Sequence, residues 1–256
     1  MAGYSDLAYF YDALTGNIDY GSIAQFIDRH VTELVGRRGI LLDIACGTGS
    51  LCMEMSRLGY DVIGTDISES MLSAALERKY DSGLDIQYLC QDMRELDMYG
   101  TIDVTVCTLD SLNHLPSAAD VRRVFDRVAL FCEKDGLFIF DMNTPYKHRE
   151  ILADNTFVYD LDDVYCVWQS SFSAKDTRVD ITLDIFERDG ERYARYSDEL
   201  SERAYPADIT EGALEAAGFD IIGRYDGYTD SPANDGSERI VYVCRIKNVK
   251  NSVYKG

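Results

Sequence analysis

The stretch Ile40-Leu41-Leu42-Asp43-Ile44-Ala45-Cys46-Gly47-Thr48-Gly49-Ser50 constrains the fold more than any other part of this chain. Its short apolar opening has the pattern of a buried parallel strand. Gly47 and Gly49 follow, and glycine lets the backbone turn sharply and approach a ligand closely. From Ser50 the spacing becomes helical, with Leu51, Met55 and Leu58 on one side. Strand, glycine turn and helix form a unit that cradles nucleotides. A dinucleotide fingerprint needs a third glycine or similarly small residue at position 52, where Cys52 stands. Asp43, just before the turn, would repel a pyrophosphate, and it suits the ammonium group of an amino acid.

Similar strand ends recur down the chain. Asp61–Asp66 reads as a second strand closing in a carboxylate placed to accept both hydroxyls of a ribose. Ile67 and Ser68 then open a helix that carries Met71 and Leu72. Ile86–Cys90 reads as a third strand, ending in Gln91-Asp92-Met93, and Ile102–Cys107 as a fourth, ending in Thr108-Leu109-Asp110-Ser111-Leu112-Asn113-His114. A helix over 116–132 and a fifth strand over 137–141 continue the alternation. Alternating strands and helices predict a parallel sheet covered on both faces, with polar groups collected at the carboxyl ends of its strands.

Beyond residue 150 the periodicity changes. Residues 164–173, 179–185 and 192–200 alternate apolar and polar side chains, and Asp189-Gly190 reads as a two-residue hairpin turn between the last two runs. They predict a three-stranded antiparallel meander, with Trp168 and Phe172 on an inner face suited to roofing a substrate pocket. A helix over 206–217, aligned on Ile209, Ala213, Leu214 and Ala217, precedes strands over 219–224 and 240–246. The fold class expected is therefore α/β: a Rossmann-like, seven-stranded, mostly parallel sheet with helices on both faces and a small antiparallel insert. The units expected are residues 1–150 (helical N-terminal lid and nucleotide-binding core), 151–205 (insert) and 206–256 (the rest of the core). The tail from Lys247 onward is expected to fray.

A net charge of −20 and the lack of any basic stripe argue against nucleic acid as partner or substrate. The seven cysteines are an odd number without a CxxC pair and fall mostly in apolar runs, as core thiols of a reducing cytosol do. With three histidines and no Cys/His cluster, no metal site is expected. No leader and no membrane-spanning run is evident, so the chain reads as cytoplasmic, without a membrane partner.

The sequence D-x-A-C-G-T-G over Asp43–Gly49 resembles motif I of the class I S-adenosylmethionine (SAM)-dependent methyltransferases. Tyr11-Asp12-Ala13-Leu14 is similar to the Y-D-x-L opening of many small-molecule members, in which that segment folds over the SAM pocket. Asp110–Leu115 and Asn143–Lys147 resemble the D-S-x-N-x-L and N-T-P-Y-K stretches of bacterial enzymes that methylate sugar amines. The resemblance implies SAM as cofactor and transfer to N or O of a small molecule. Asp43 would hold the SAM amino group, with the backbone of Ala45, Cys46, Gly47 and Gly49. Asp66 and Ile67 would take the ribose, Met71, Asp92 and Met93 the adenine, and Leu109 and Asp110 the sulfonium region. His114 is the first candidate for a general base, His148 the second, and Tyr11 a candidate hydrogen-bonding group; His30 reads as a surface residue. The rival readings are a SAM-binding sensor or assembly module without turnover and an NAD-linked oxidoreductase, the latter disfavoured by Asp43 and Cys52. The antiparallel insert would serve as a lid or as a homodimer surface.

Overall fold

The computed structural model describes residues 7–247. Two helices lead in, α1 (Leu7–Leu14) and α2 (Tyr20–Leu34), the second capped by Asp19, whose side chain accepts the Ser22 N–H. The alternating core follows as β1 (Ile40–Asp43), α3 (Ser50–Arg57), β2 (Asp61–Asp66), α4 (Glu69–Ser82), β3 (Ile86–Cys90), β4 (Ile102–Cys107), α5 (Ala118–Phe131) and β5 (Cys132–Asn143). After the insert come α6 (Ala207–Ala217), β10 (Phe219–Asp226) and β11 (Arg239–Ile246).

These strands form the expected seven-stranded sheet in the order β10-β11-β5-β4-β1-β2-β3. Only β11 runs against its neighbours, β5 and β10. The strand order reverses between β1 and β4, and a ligand crevice opens at such a switch point, beyond the carboxyl ends of the strands. One face of the sheet packs α5 and α6 through Val124, Phe125, Phe138, Phe140 and Leu214. The other face packs α2 and α3 through Phe26, Ile27, Val31, Cys52 and Met55. Both faces of the central strands are covered, which is why β4 is buried at every position.

The insert is a sheet of its own with four strands, not three: β6 (Thr156–Asp160), β7 (Val164–Ser173), β8 (Arg178–Asp189) and β9 (Arg192–Arg203). The added strand, Thr-Phe-Val-Tyr-Asp, is an edge strand too short for alternation alone to reveal. The β8–β9 turn is Gly190-Glu191 and not Asp189-Gly190, because Asp189 stays in the ladder, paired to Arg192. Gly190 has φ +63° and Glu191 is not in the left-handed region, which is the type II′ pattern. Val179, Ile181, Leu183 and Ile185 fill the inner face, where Leu7 and Phe10 of α1 pack against them.

Four further expectations need correcting. β5 begins at Cys132, because the turn around Asp135 and Gly136 is absorbed as a bulge opposite β4. Helix α5 starts at Ala118, after a Ser117 cap. Ile209 points to solvent, and Thr210 takes its place on the buried side of α6. His30 is buried: its Nδ1 bonds the Phe26 carbonyl at 2.9 Å and its ring packs between Phe26 and Tyr225. Six cysteines are buried and Cys90 is exposed, all as free thiols. The expected frayed tail lies almost entirely outside the described residues.

Candidate functional site

The turn after β1 takes its shape from two left-handed glycines, with φ +52° at Gly47 and +79° at Gly49. A Cβ on Gly49 would run into the Tyr88 side chain, and its left-handed φ strains any residue that carries a Cβ. A Cβ on Gly47 would meet nothing within 4 Å, and Gly47 lines a cavity. Asp66 ties the turn to β2: its carboxylate accepts the Gly47 and Ser68 N–H groups, each at 2.9 Å. Burial raises the Asp66 carboxyl above its ordinary value against the pull of those amides. Asp43 lies beneath the turn, fully buried, with the Ala45 N–H at 3.3 Å and the Cys52 thiol at 3.8 Å. Its pKa is pushed up to about 7, chiefly by burial and further by the nearby Asp66 charge.

Two successive residues after β4 also adopt left-handed backbone, Leu109 at φ +56° and Asp110 at φ +55°. Such a pair is costly for side chains larger than glycine, about 1–3 kcal/mol each. Asp141, at the buried end of β5, holds the turn by accepting the Leu109 and Asp110 N–H groups, each at 2.7 Å. Arg239 from β11 bridges Asp141 and Asp110, and the Tyr228 hydroxyl donates to Asp141. Burial alone would raise the Asp110 carboxyl; the charges of Arg239, Lys147 and His114 outweigh it and bring it below the usual range.

A single cavity of about 850 Å³ runs from these turns to the inner face of the insert sheet. Of the residues predicted from sequence, Tyr11, Ala45, Gly47, Asp66, Ile67, Met71, Asp92, Met93, Leu109, Asp110 and His114 line it. Asp43, Cys46, Gly49 and His148 are not among its lining residues. Asp92 caps a short turn through the Arg94 N–H and pairs with the Arg94 guanidinium, which holds its carboxyl below the ordinary value. His114 directs Nδ1 at the Ser201 carbonyl, 3.2 Å away.

α1 covers the cavity from above, contributing Leu7, Tyr11 and Leu14. The latch is Asp12, which accepts the Thr48 hydroxyl at 2.6 Å and pairs with Arg78 of α4 at 2.9 Å. Arg78 also reaches the Thr48 carbonyl and the Ser50 hydroxyl, so one guanidinium joins the lid to the glycine turn. At the far end, a polar chain runs from Lys147 to Asn143 (3.0 Å), from Asn143 to Glu202 (3.0 Å) and on to His148 Nε2 (3.5 Å). His148 Nδ1 faces the Thr177 carbonyl at 3.0 Å. A carbonyl only accepts, so Nδ1 carries hydrogen, while Nε2 faces the Glu202 carboxylate without a hydrogen bond. Lys147 sits on a π-turn over Lys147–Leu152, an irregularity that aims Lys147, Ile151 and Leu152 into the cavity.

Comparison with known proteins assigns the family. A profile described as a methyltransferase domain matches residues 41–136. YqeM of Bacillus subtilis, which carries a provisional methyltransferase name, is 32% identical over 240 residues, covering 93% of this chain and 95% of that one. A crystal structure of an S-adenosylmethionine-dependent methyltransferase from Clostridium acetobutylicum superposes with a TM-score of 0.88 at 32% identity, covering 96% of this chain and 99% of that one. The chain belongs to the SAM-dependent methyltransferases. The fold is also shared with the sugar N-methyltransferase KedS8 of Streptoalloteichus, with a TM-score of 0.75 at 22% identity and coverage of 95% and 93%.

The methyltransferase's cofactor is SAM, and the residues present fit it. Gly47 opens toward the cavity with no Cβ in the way, and the two Asp66 oxygens retain acceptor capacity beside it. Asp110, His114 and Glu202 bring three potential metal-binding atoms within 4.8 Å of one another. Asp110 already pairs with Arg239 there, and Glu202 accepts from Asn143. Among the residues of the site that sequence reasoning missed are Asp12, Asp141 and Glu202. Asp12 lay inside the Y-D-x-L motif, and Asp141 closed a predicted strand. Glu202 carried no local signal, since only the pairing of β9 with β8 turns it inward.

Proposed function

We propose that this enzyme transfers the SAM methyl group to N or O of a small molecule by in-line displacement. The observation that carries the reading is the continuity of the cavity. It passes from Gly47 and Asp66, past the strained Leu109–Asp110 turn, to Glu202 and the insert sheet without a partition. Cofactor and acceptor therefore face each other across that turn, and alignment with water excluded supplies most of the rate.

When bound, SAM supplies an electrophilic methyl on a sulfonium. Asp66 accepts the ribose hydroxyls with the backbone at Ile67, and Met71, Asp92 and Met93 border the adenine. Ala45 and Gly47 approach the methionine part, while Cys46 and Gly49 set the turn from behind. Asp43 acts from beneath the turn, its ionised form favoured by the ligand's ammonium group. Leu109 and Asp110 flank the sulfonium, and Tyr11 closes over it. A nucleophile arriving with a proton hands it to His114 or to Glu202, the latter backed by His148. Residues up to about 150, with the part after 205, form the cofactor half, and residues 151–205 roof the acceptor.

Titration calorimetry with SAM, S-adenosylhomocysteine (SAH) and NADH tests this reading. Micromolar binding of both sulfur ligands, about −8 kcal/mol, and none of NADH is expected. A folded protein that binds neither, or that prefers NADH, would refute it.

A further inference from the structure

The acceptor half of the cavity has a chemistry that narrows the substrate. Its polar groups gather at one end, where Glu202, Asn143 and Lys147 meet the Asp110–Arg239 pair. Its other end is aromatic and aliphatic. Phe157 and Tyr159 of β6 flank Trp168 of β7, with ring centroids 6.0 and 6.5 Å from the indole. Leu183 and Leu200 continue that face between the aromatic rings and Glu202. In the strand register Trp168 stands opposite Leu183, and Leu183 opposite Asp198, four residues along β9 from Glu202. That separation is about 13 Å at roughly 3.3 Å per residue.

The cations tell against a phosphorylated carrier. Among the described lining residues, Arg94 is paired with Asp92, and Arg239 is held between Asp110 and Asp141. Lys147 is the remaining ammonium, and it bonds only the Asn143 amide oxygen at 3.0 Å. A nucleoside diphosphate needs several donors on its phosphates, and a chain with net charge −20 supplies no compensating field.

From this juxtaposition we infer that the acceptor is an amphipathic small molecule. A single hydroxyl or amine head lies at Glu202, and a flat apolar body runs along the Leu200–Leu183–Trp168 face. It is not a nucleotide-linked sugar. The inference rests on the methyltransferase reading and specifies the acceptor for the same site. It distinguishes the acceptor from a nucleoside-diphosphate sugar, since the insert sheet lines the cavity with rings and aliphatic side chains and, among the described residues, adds no cation to it.

Trp168 is the single tryptophan, so its emission reports on this end of the cavity alone. The probes are 4-phenylbutylamine, 4-phenylbutanol and uridine diphosphate, added to SAH-saturated protein with excitation at the red edge of indole absorption. The amine and the alcohol are expected to shift Trp168 emission saturably, and uridine diphosphate to leave it unchanged. Phe157→Asn, at a half-buried edge position, is expected to weaken the phenylbutyl probes about tenfold while SAH affinity holds, which also reports that the variant folds. Glu202→Gln should weaken the two headed probes and leave SAH affinity unchanged. Failure of SAH to bind would overturn the underlying methyltransferase reading. Bound SAH with a response to uridine diphosphate and none to the phenylbutyl probes would overturn the substrate class alone, as would probe affinities that ignore Phe157→Asn.

Discussion

Asp43→Asn should remove the pH dependence that this buried carboxyl imposes on the free protein. Asp43 is 1% exposed, and its pKa is pushed up from 3.8 to about 7, with burial as the main cause. The folded state thus retains a proton that the unfolded chain has released between about pH 4 and pH 7, and stability falls as pH rises through that window. Integrating the two titrations gives a penalty of about 2 kcal/mol at pH 5 and about 4 kcal/mol at pH 8.5. Asparagine keeps the size of the side chain and does not ionise. Relative to wild type, the variant should therefore gain about 2–3 kcal/mol between pH 5 and pH 8.5. Urea unfolding monitored by circular dichroism at the two pH values, with SAH absent, reads this difference directly. Added SAH should stabilise both proteins by mass action, with a larger gain for wild type than for Asp43→Asn at pH 8.5 if the proposed ammonium–carboxylate attraction operates. Equal pH dependence of the two proteins would refute the placement of a buried, ionisable carboxyl under the turn.

Three further outcomes follow from the same geometry. Asp66→Ala removes the carboxylate proposed to accept two ribose hydroxyls and should weaken SAH binding at least about 100-fold by calorimetry, from roughly 1.5 kcal/mol or more for each charge-assisted bond. Asp141→Ala strands Arg239 and frees the two left-handed residues, so urea unfolding should report a loss of about 3–5 kcal/mol. Asp12→Ala cuts the half-exposed lid latch; its stability should change by less than about 1 kcal/mol, while SAH release in stopped flow quickens about fivefold.

What could be read from the sequence depended on how local each signal was. The glycine turn, the four strand ends and the helix stops are set by residues within a few positions of one another, and those signals put Gly47, Asp66, Met93 and Leu109 at the strand ends that border the cavity. Trp168 was likewise assigned to the inner face of the insert by simple alternation. The acceptor end was harder. Glu202 lies in a strand of mixed polar residues, and its inward direction follows from the register Val179↔Glu202, a pairing between distant segments. Asp141 looked like the last residue of a strand because the amides it holds belong to a turn about thirty residues earlier. His148 was singled out as a histidine near the crevice, yet it stands behind Glu202, oriented by the Thr177 carbonyl. His30 was misplaced for a related reason: a histidine at helical spacing reads as polar, and here Phe26 and Tyr225 enclose it.

A crystal structure of the protein with SAH bound tests the central claim most directly. The account predicts the ribose on Asp66, the adenine beside Asp92 and Met93, and the sulfur at Leu109 and Asp110, facing the cavity that ends at Glu202. SAH bound elsewhere, or a ribose away from Asp66 with the sulfur turned from the insert sheet, would contradict it.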